Sequence, residues 1–367
     1  MIEILKGLGA NIEEALSRLP EQVEQPRLAI FFSADHDVQS GALKVAARFP
    51  DIPTLGLYSI DVLHADDSLD ARAAVVVLCR DFWISAGVIT DLSECPVQHI
   101  LRFENAAKRV MADDLSTVCL EYCTGHEGQL VTTLNAVLEN YGTPLMGSTV
   151  LDLEDPEGNV VAFNGKIYKN ACVYALIRNL CGPIHVYCEN IYDRDDDREL
   201  YQITKMDRPK QILWEIDGKP AADVYCNALG LKNYEDILTA ITYYPLGRII
   251  GDNFYVGSVR QVTPDGGVVC AKVFNVNDAI SILNCRNFRA KAEQTVKRVL
   301  EENPQRIFTL TGDCYHRYLL YRAEDFMGQH IANLHRYGEH AGNICGGEQY
   351  RLQHVNHSLV MAVFNAE

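Results

Sequence analysis

The sequence predicts an α/β fold in which mixed β-sheets are flanked by helices. Short β-rich runs alternate with segments whose apolar residues recur every three or four positions. Two turn sequences, Asn164-Gly165 and 264–267, each lie between two β-rich runs and predict hairpins. Because the strands of a hairpin pair antiparallel, the sheets are expected to be mixed.

Local signals place the individual elements. Strands are predicted in the β-rich runs 28–33, 73–79, 117–123, 160–163, 166–168, 255–262 and 268–274. The segment 96–111 has a proline in its first turn and apolar residues on one face, and 128–141 has the same helical spacing. Another helix is expected between Pro220, in its first turn, and Gly230, just past its end.

The length and the polar run 193–199 indicate the domain organisation. A chain of 367 residues, 48% of them hydrophobic, has a sizeable core and about two domains. We expect an N-terminal helix in 1–25, an N-terminal domain over 26–205 and a C-terminal domain over 206–367. The polar run lacks the central glycine and the distant glutamate of a calcium loop, and is interpreted as a solvated loop.

Two segments, 117–148 and 307–339, share an order of elements. Each reads as a strand, a Thr-Gly loop, a helix and then Gly-Ser or Gly-Glu. Chance and duplication both remain open as explanations. If the similarity reflects duplication, the fold consists of two related halves packed around a shared site. The site is expected between the halves because pockets commonly lie between domains.

Composition excludes several classes of partner. The net charge of −16 repels phosphates and anionic lipid, so neither nucleic acid nor a membrane is expected as a partner. No apolar run approaches the roughly 18 residues of a membrane span. The first residues lack a signal-peptide layout, so the protein is expected in the cytoplasm. The 12 cysteines include no Cys-x-x-Cys and are interpreted as buried thiols rather than a zinc site.

Polar residues concentrate towards the end of the chain, where six of the 11 histidines follow residue 315. Residues 354–364 are predicted as one strand, with His354, Asn356 and Ser358 on one face and His357 on the other. Buried polar groups need partners, so the polar face either satisfies itself or meets a ligand.

These residues also carry a family resemblance. Asp313-Cys314 with Arg317, then Gly-Glu-Gln-Tyr at 347–350 and His-Val-Asn-x-Ser at 354–358, resembles the C-terminal signature of FIST domain proteins. Four upstream segments extend the resemblance over about 26–364: 28–33, 144–148, 163–166 and 214–230.

The resemblance implies an intracellular sensory module that binds a small ligand. Family members are often coupled to a histidine kinase or a cyclic-dinucleotide enzyme, and some bind haem and sense nitric oxide. This chain departs from the pattern at 56–61, which lacks the family's Gly-Glu pair, and at 149–152. The segment 338–346 reads as an inserted or duplicated turn at the pocket edge, and as its moving part. The ligand is therefore left open between haem and an amino acid or other small metabolite.

Nine residues are the candidate ligand-binding set. They are polar residues of the C-terminal signature and its Gly-Glu turns: Asp313, Arg317, Glu339, Glu348, Gln349, Tyr350, His354, Asn356 and Ser358. His354 could hold haem iron through a ring nitrogen. The alternative is a buried strand histidine bonded to Asn356 or to a loop carbonyl.

The other candidates have alternatives as well. Arg317 could bind a carboxylate ligand or a haem propionate, or form a structural pair with Asp313. Glu339 and Glu348 could accept a hydrogen bond from a ligand, or cap turns.

Two classes of function other than a sensory module are also open. A small-molecule enzyme would use Cys314 or Cys123 as nucleophile, with His316 or His126 nearby in sequence. No known nucleophile, nucleotide-binding or zinc-hydrolase motif supports it, so binding without catalysis is expected. A protein-interaction scaffold without a ligand is the third class.

Overall fold

A computed structural model of the chain describes residues 3–64, 71–155, 158–195, 199–251 and 253–366. The strands are β1 (Ile4–Gly9), β2 (Pro26–Ser33), β3 (Thr54–Tyr58), β4 (Val62–His64), β5 (Ala73–Cys79), β6 (Phe82–Ile89), β7 (Thr117–Cys123), β8 (Leu145–Thr149), β9 (Val161–Phe163), β10 (Lys166–Tyr168), β11 (Cys172–Asn179), β12 (Ile184–Asn190), β13 (Tyr201–Asp207), β14 (Ile212–Ile216), β15 (Lys219–Pro220), β16 (Leu246–Ile250), β17 (Asn253–Gly257), β18 (Val259–Val262), β19 (Val268–Cys270), β20 (Ala279–Ile282), β21 (Arg306–Cys314), β22 (His340–Cys345), β23 (Glu348–Tyr350), β24 (Gln353–Val355) and β25 (Ser358–Asn365).

The helices are α1 (Ile12–Ser17), α2 (Val38–Arg48), α3 (Ile100–Arg109), α4 (Glu127–Leu138), α5 (Ala221–Leu229), α6 (Asp236–Ala240), α7 (Phe288–Glu302), α8 (Tyr315–Ala323) and α9 (Met327–Arg336). Local sequence sets several of their ends. Asn11 and Asp37 accept hydrogen bonds at the N-termini of α1 and α2. Gly230, in the left-handed region, ends α5.

The predicted α/β fold with mixed sheets flanked by helices is confirmed, and three of its sheets share one topology. In each of the three, an outer strand pairs antiparallel with the strand that comes last in sequence among the four. That last strand pairs antiparallel with a central strand, and the central strand pairs parallel with a third strand. The orders are β1-β5-β2-β3, β6-β11-β7-β8 and β12-β25-β21-β22. We call them the first unit (4–79), the second unit (82–179) and the third unit (184–190 with 288–365).

The three units also share their register. In each, a glycine on the third strand lies opposite a larger residue on the central strand, and a Cβ on that glycine would come within 1.9–2.2 Å of the larger side chain. The pairs are Phe31 with Gly56, Glu121 with Gly147 and Thr311 with Gly342. The similarity predicted between 117–148 and 307–339 therefore connects equivalent parts of the second and third units. The repeated unit occurs three times rather than twice.

The units are linked by exchanged strands. β4 of the first unit pairs with β22 of the third, β9 of the second pairs with β3 of the first, and β23 of the third pairs with β8 of the second. This exchange closes a ring. β12 also lies in the third unit's sheet, so the sheets interleave across the domain boundary expected at residue 205.

The inner faces of the three sheets pack on one apolar core, which contains Phe32, Leu120 and Val360 from the three units. Helices cover the outer faces: α1 and α2 the first, α3 and α4 the second, α7 and α9 the third. Fully burying each large apolar side chain contributes about 1.5–3 kcal/mol. The sheets therefore form a continuous interior rather than two separate cores.

An additional unit, 201–282, is inserted between β12 and α7. Its sheet has the order β17-β16-β20-β13-β14-β19-β18, with β15 beside β14, and α5 and α6 pack on it around Tyr225 and Phe274. We call it the inserted unit. The polar run 193–199 leads into it, and residues 196–198 of that run lie outside the described residues.

Several local predictions need correction. The described residues 3–25 are not a single N-terminal helix, because β1 precedes the short helix α1. The segment 338–346 is not a turn, because 340–345 form the buried strand β22. The predicted strand 354–364 is two strands in different sheets. The chain leaves the second unit's sheet after Val355 and turns at His357, whose φ is +55°.

Both hairpin predictions are confirmed. β9 and β10 pair antiparallel across Asn164-Gly165, and both turn residues have positive φ, as a type I′ turn requires. β18 and β19 pair across the turn at 264–267. The predicted helix 96–111 is a 3₁₀ turn followed by α3, and 128–141 is α4 followed by a 3₁₀ turn.

Candidate functional site

Six of the nine predicted site residues lie near the carboxyl ends of β7, β8, β21 and β22, where the inserted unit packs over them: Glu348, Gln349, Tyr350, His354, Asn356 and Ser358. Lys272 Nζ donates a hydrogen bond to the main-chain oxygen of His354 at 2.9 Å. The Ser258 N–H donates to Asn356 Oδ1 at 3.3 Å. The carboxyl ends of strands are where α/β sheets usually bind ligands. The inserted unit therefore covers the edge at which a ligand site is expected.

His354 is buried and uncharged at neutral pH. Its Nε2 lies 3.3 Å from Asn356 Nδ2, which is the structural alternative considered for this histidine. Burial lowers the His354 pKa to about 4; Glu127 opposes this shift, whereas Lys272 adds to it. A neutral imidazole beside a lysine leaves the positive charge at this edge with the lysine.

Glu348 connects two strands rather than facing a ligand. Its Oε2 accepts the Ser358 N–H at 3.0 Å, and its Oε1 accepts the Cys345 thiol at 3.2 Å. Burial raises the Glu348 pKa to about 8, so the carboxyl group is protonated at neutral pH. Ser358 Oγ donates to the main-chain oxygen of Asn356 at 3.1 Å. Glu348 and Ser358 thereby fix β23 to the start of β25.

Gln349 and Tyr350 lie in β23, on the hairpin that the third unit contributes to the second unit's sheet. Gln349 Nε2 donates to Thr149 Oγ1 at 3.0 Å, and Thr149 donates to Glu127 Oε1 at 2.9 Å. Tyr350 is half-buried and lines a cleft described below. The hairpin β23–β24 therefore carries Glu348, Gln349, Tyr350 and His354.

Asp313 and Arg317 form a buried ion network elsewhere, on the helix-covered side of the third unit's sheet. Arg317 Nε lies 2.6 Å from Asp313 Oδ1, and Nη2 lies 2.5 Å from Glu189 Oε1. His330 Nε2 lies 2.7 Å from Asp313 Oδ2. Burial raises the Asp313 pKa, but Arg317 and His330 outweigh it and hold it below its ordinary value. The structural pair is therefore the interpretation that the geometry supports.

Glu339 is not at the site. It lies just before β22, at the strand's amino end, whereas the other polar residues gather at the carboxyl end. Its side chain is 65% exposed and lies 2.6 Å from Lys6 Nζ. It forms a surface ion pair with the first strand of the chain.

Both candidate nucleophiles are buried thiols. Burial raises the pKa of the Cys314 and Cys123 thiols well above the ordinary value, which keeps both protonated. Cys314 Sγ accepts the His357 N–H at 3.2 Å. The ring of His316 stacks on His357 at 4.3 Å, with its Nε2 2.8 Å from Ser258 Oγ.

Sequence reasoning missed the cations beside His354. A cleft of about 250 Å³ is lined by Arg208, Arg248 and Lys272 from the inserted unit, by His354 and by α4. Among the described residues no carboxylate lines it. The available signal was Lys272, a lysine within the apolar run 268–274.

Lys272 is 94% buried, with 6% of its surface exposed. Burial, followed by the positive charge of Arg248, lowers its pKa to about 8. The largest effect that opposes this shift is the negative charge of Asp278, whose Oδ2 lies 3.0 Å from Arg248 Nε. Within the described part of the chain, Lys272 forms no ion pair with a carboxylate. A buried cation with this little compensation is costly, so the cleft favours an incoming anion.

A second cleft, of about 450 Å³, lies along the same hairpin. Phe254, Tyr255, Tyr350 and Val355 give it an apolar wall. Leu352 and Gln353 line both clefts, and the Tyr255 ring centroid is 5.2 Å from Lys272 Nζ. The hairpin β23–β24 is thus a shared wall of the two clefts.

The surroundings of His354 do not fit haem. Cofactor-sized ligands take pockets of roughly 300–1,000 Å³ with mainly apolar linings. The cleft at His354 is smaller and is lined by three cations, and the His354 Nε2 already lies against Asn356. In the described parts of the chain, no group of three or more His, Cys, Asp or Glu could hold a metal ion. Ligation of haem iron by His354 stays a prediction, and no step is derived through it.

The fold and the covered carboxyl-end site define a mixed α/β protein with a pocket built by three parts of one chain. Residues 27–219 match the FIST N domain and residues 221–351 match the FIST C domain. The chain belongs to the FIST family, whose domains are sensory and signal-transduction domains that bind small ligands. No curated protein matches the chain. No helix within the described ranges is long and apolar enough to cross a membrane.

Proposed function

We propose that this protein is a sensory protein whose ligand is a small organic anion bound at Lys272, Arg248 and Arg208. The observation that carries the proposal is the carboxylate-free lining of the cleft, in a chain whose net charge is −16. Three cations facing one small cavity stand out against that acidic background. An anion there would gain charge-assisted hydrogen bonds from guanidinium and ammonium groups.

The cleft is placed to signal. Its walls come from α4 of the second unit, from the exchanged hairpin of the third unit and from the inserted unit. A ligand that touches all three biases their relative packing, and differential affinity for two packings is what a sensor requires. The Lys272–His354 hydrogen bond is one direct link between the inserted unit and the hairpin.

The output would pass to a separate signalling protein, such as the histidine kinase or cyclic-dinucleotide enzyme expected from the family. The nitric oxide and haem version of the sensor remains a prediction as well. An absorption spectrum of freshly purified protein tests it. A haem band that disappears in His354→Ala would favour iron over the anion.

Thermal unfolding with matched ligands tests the anion proposal. L-lactate and lactamide have nearly the same shape, but only lactate is charged. Lactate should raise the unfolding midpoint, because a ligand at 100 times its Kd adds about 2.7 kcal/mol to the stability of the folded state. Lactamide should not. The proposal would be overturned if lactate and lactamide raised the unfolding midpoint equally. It would also be overturned if none of lactate, lactamide and inorganic phosphate raised it.

A further inference from the structure

We propose that Lys272 captures a 2-oxo acid reversibly as an imine, a covalent mode of binding that rests on the anion site proposed above. The site then takes the keto form of a small acid in preference to its hydroxy form. No activated cysteine or serine is needed for this chemistry.

The first support is the position of the amine. Nζ lies at the wall of the small cleft, buried, and donates to the neutral main-chain oxygen of His354 at 2.9 Å. When the amine is uncharged, one of its N–H bonds points at that oxygen. The nitrogen lone pair is then directed away from the oxygen. The amine is therefore oriented without being neutralised by a carboxylate.

The second support is the charge around the amine. A lysine becomes a nucleophile when burial or a neighbouring cation favours its uncharged form. Lys272 has both, because Arg248 lines the same cleft and its charge adds to the effect of burial. Both protonation forms are therefore populated near pH 8.

The third support is the match between the cleft and the ligand class. Arg248 offers a guanidinium to a carboxylate, and Lys272 offers an amine beside it. A 2-oxo acid has its carbonyl carbon directly bonded to its carboxylate, so one small molecule can meet both groups. A cleft of about 250 Å³ suits a compact acid.

The chemistry balances without any redox partner. The uncharged amine of Lys272 attacks the carbonyl carbon, so a C–N bond forms while the C=O π bond opens, and one proton passes from the nitrogen to the oxygen. The resulting carbinolamine loses one water molecule as the C=N bond forms. Addition of water reverses both steps and releases the 2-oxo acid and the free lysine.

Borohydride trapping tests the proposal on the full-length protein. Pyruvate with borohydride should raise the protein mass by the mass of pyruvic acid less one oxygen, with the adduct on the peptide that contains Lys272. L-lactate, which lacks the carbonyl, should give no adduct. Lys272→Met should lose the adduct, whereas Lys232→Met, a change at an exposed lysine, should keep it.

The outcomes separate the two proposals. If pyruvate and lactate both raise the unfolding midpoint but no adduct forms, or if the adduct maps to other lysines, the imine is refuted and the anion site stands. If neither acid binds and nothing is trapped, both proposals fail. Trapping should also become faster between pH 6 and pH 8, because the uncharged fraction of the amine increases. A pH-independent rate would contradict capture by Lys272.

Discussion

Lys272 Nζ donates to the main-chain oxygen of His354 at 2.9 Å, and this bond joins the inserted unit to the exchanged hairpin. The lysine is buried in a small cleft that it shares with Arg248.

The first prediction is that Lys272→Met stabilises the free protein. The lysine pKa falls from 10.5 to about 8 on folding, so holding the ammonium in the fold at pH 7 costs at most about 3–4 kcal/mol, since a difference of one in pKa corresponds to ~1.4 kcal/mol. The lost bond to His354 offsets part of this. We expect chemical denaturation at pH 7 to show a gain of about 1–3 kcal/mol.

The gain in Lys272→Met should shrink as pH rises from 8 towards 10.5. Over that range the unfolded chain binds more protons at this lysine than the folded one, so the native protein recovers stability. A variant that is less stable than the native protein at pH 7 would show that the lysine is structural.

The second prediction concerns ligand affinity and pH. The ammonium form of Lys272 attracts an anion, so lactate should raise the lysine pKa, and its affinity should be full below pH 8. Above pH 8 the affinity should fall by up to about tenfold per pH unit as the free amine loses its proton. Titrations at pH 7 and pH 9 measure this, and equal affinities would exclude Lys272 as the titrating contact.

The third prediction is that Glu348→Gln gains stability relative to the native protein as pH rises from about 5 to 8. Burial raises the Glu348 pKa to about 8, so over this range the folded carboxyl keeps a proton that the unfolded one releases. The native protein therefore loses stability with rising pH at this group, whereas glutamine does not titrate. Denaturation curves at pH 5 and pH 8 check it, and a constant difference would mean that Glu348 is ionised in the fold.

The fourth prediction tests the repeated register. A Cβ at Gly56 would lie 1.9 Å from the ring of Phe31, which is buried in the core cluster beneath α1 and α2. Gly56→Ala should therefore destabilise the protein by about 1–3 kcal/mol, as overpacking does. The control is Gly328→Ala in α9, where nothing lies within 4 Å and alanine favours a helix. Similar effects of the two changes would contradict the packing account.

The sequence predicted local features well. The hairpin at Asn164-Gly165 and the amphipathic helices depend on neighbouring residues, so they could be identified from the pattern. The break at His357 could not be identified from the pattern, because the alternating polar pattern continues through Asn356 and Ser358 although the chain passes from one sheet to another there. A glycine at this position would have indicated a turn with positive φ, whereas a histidine does not.

The grouping of the candidate site residues was predictable only in part, for a related reason, and their role in binding stays a prediction. His354, Asn356 and Gln349 do gather with the hairpin, because they are close in sequence. Arg317 and Asp313 share the same signature but face the helix side of another sheet. The cleft itself depends on Lys272 and Arg248 in the inserted unit, which come together only through tertiary packing.

A calorimetric titration of the native protein with L-lactate at pH 7 tests the central claim most directly. We expect one site that weakens about 10- to 100-fold in Lys272→Met and in Arg248→Met, because each change removes a charged hydrogen-bond donor. Lys232→Met should bind as the native protein does. Undiminished lactate binding in Lys272→Met, or no binding to the native protein, would contradict it.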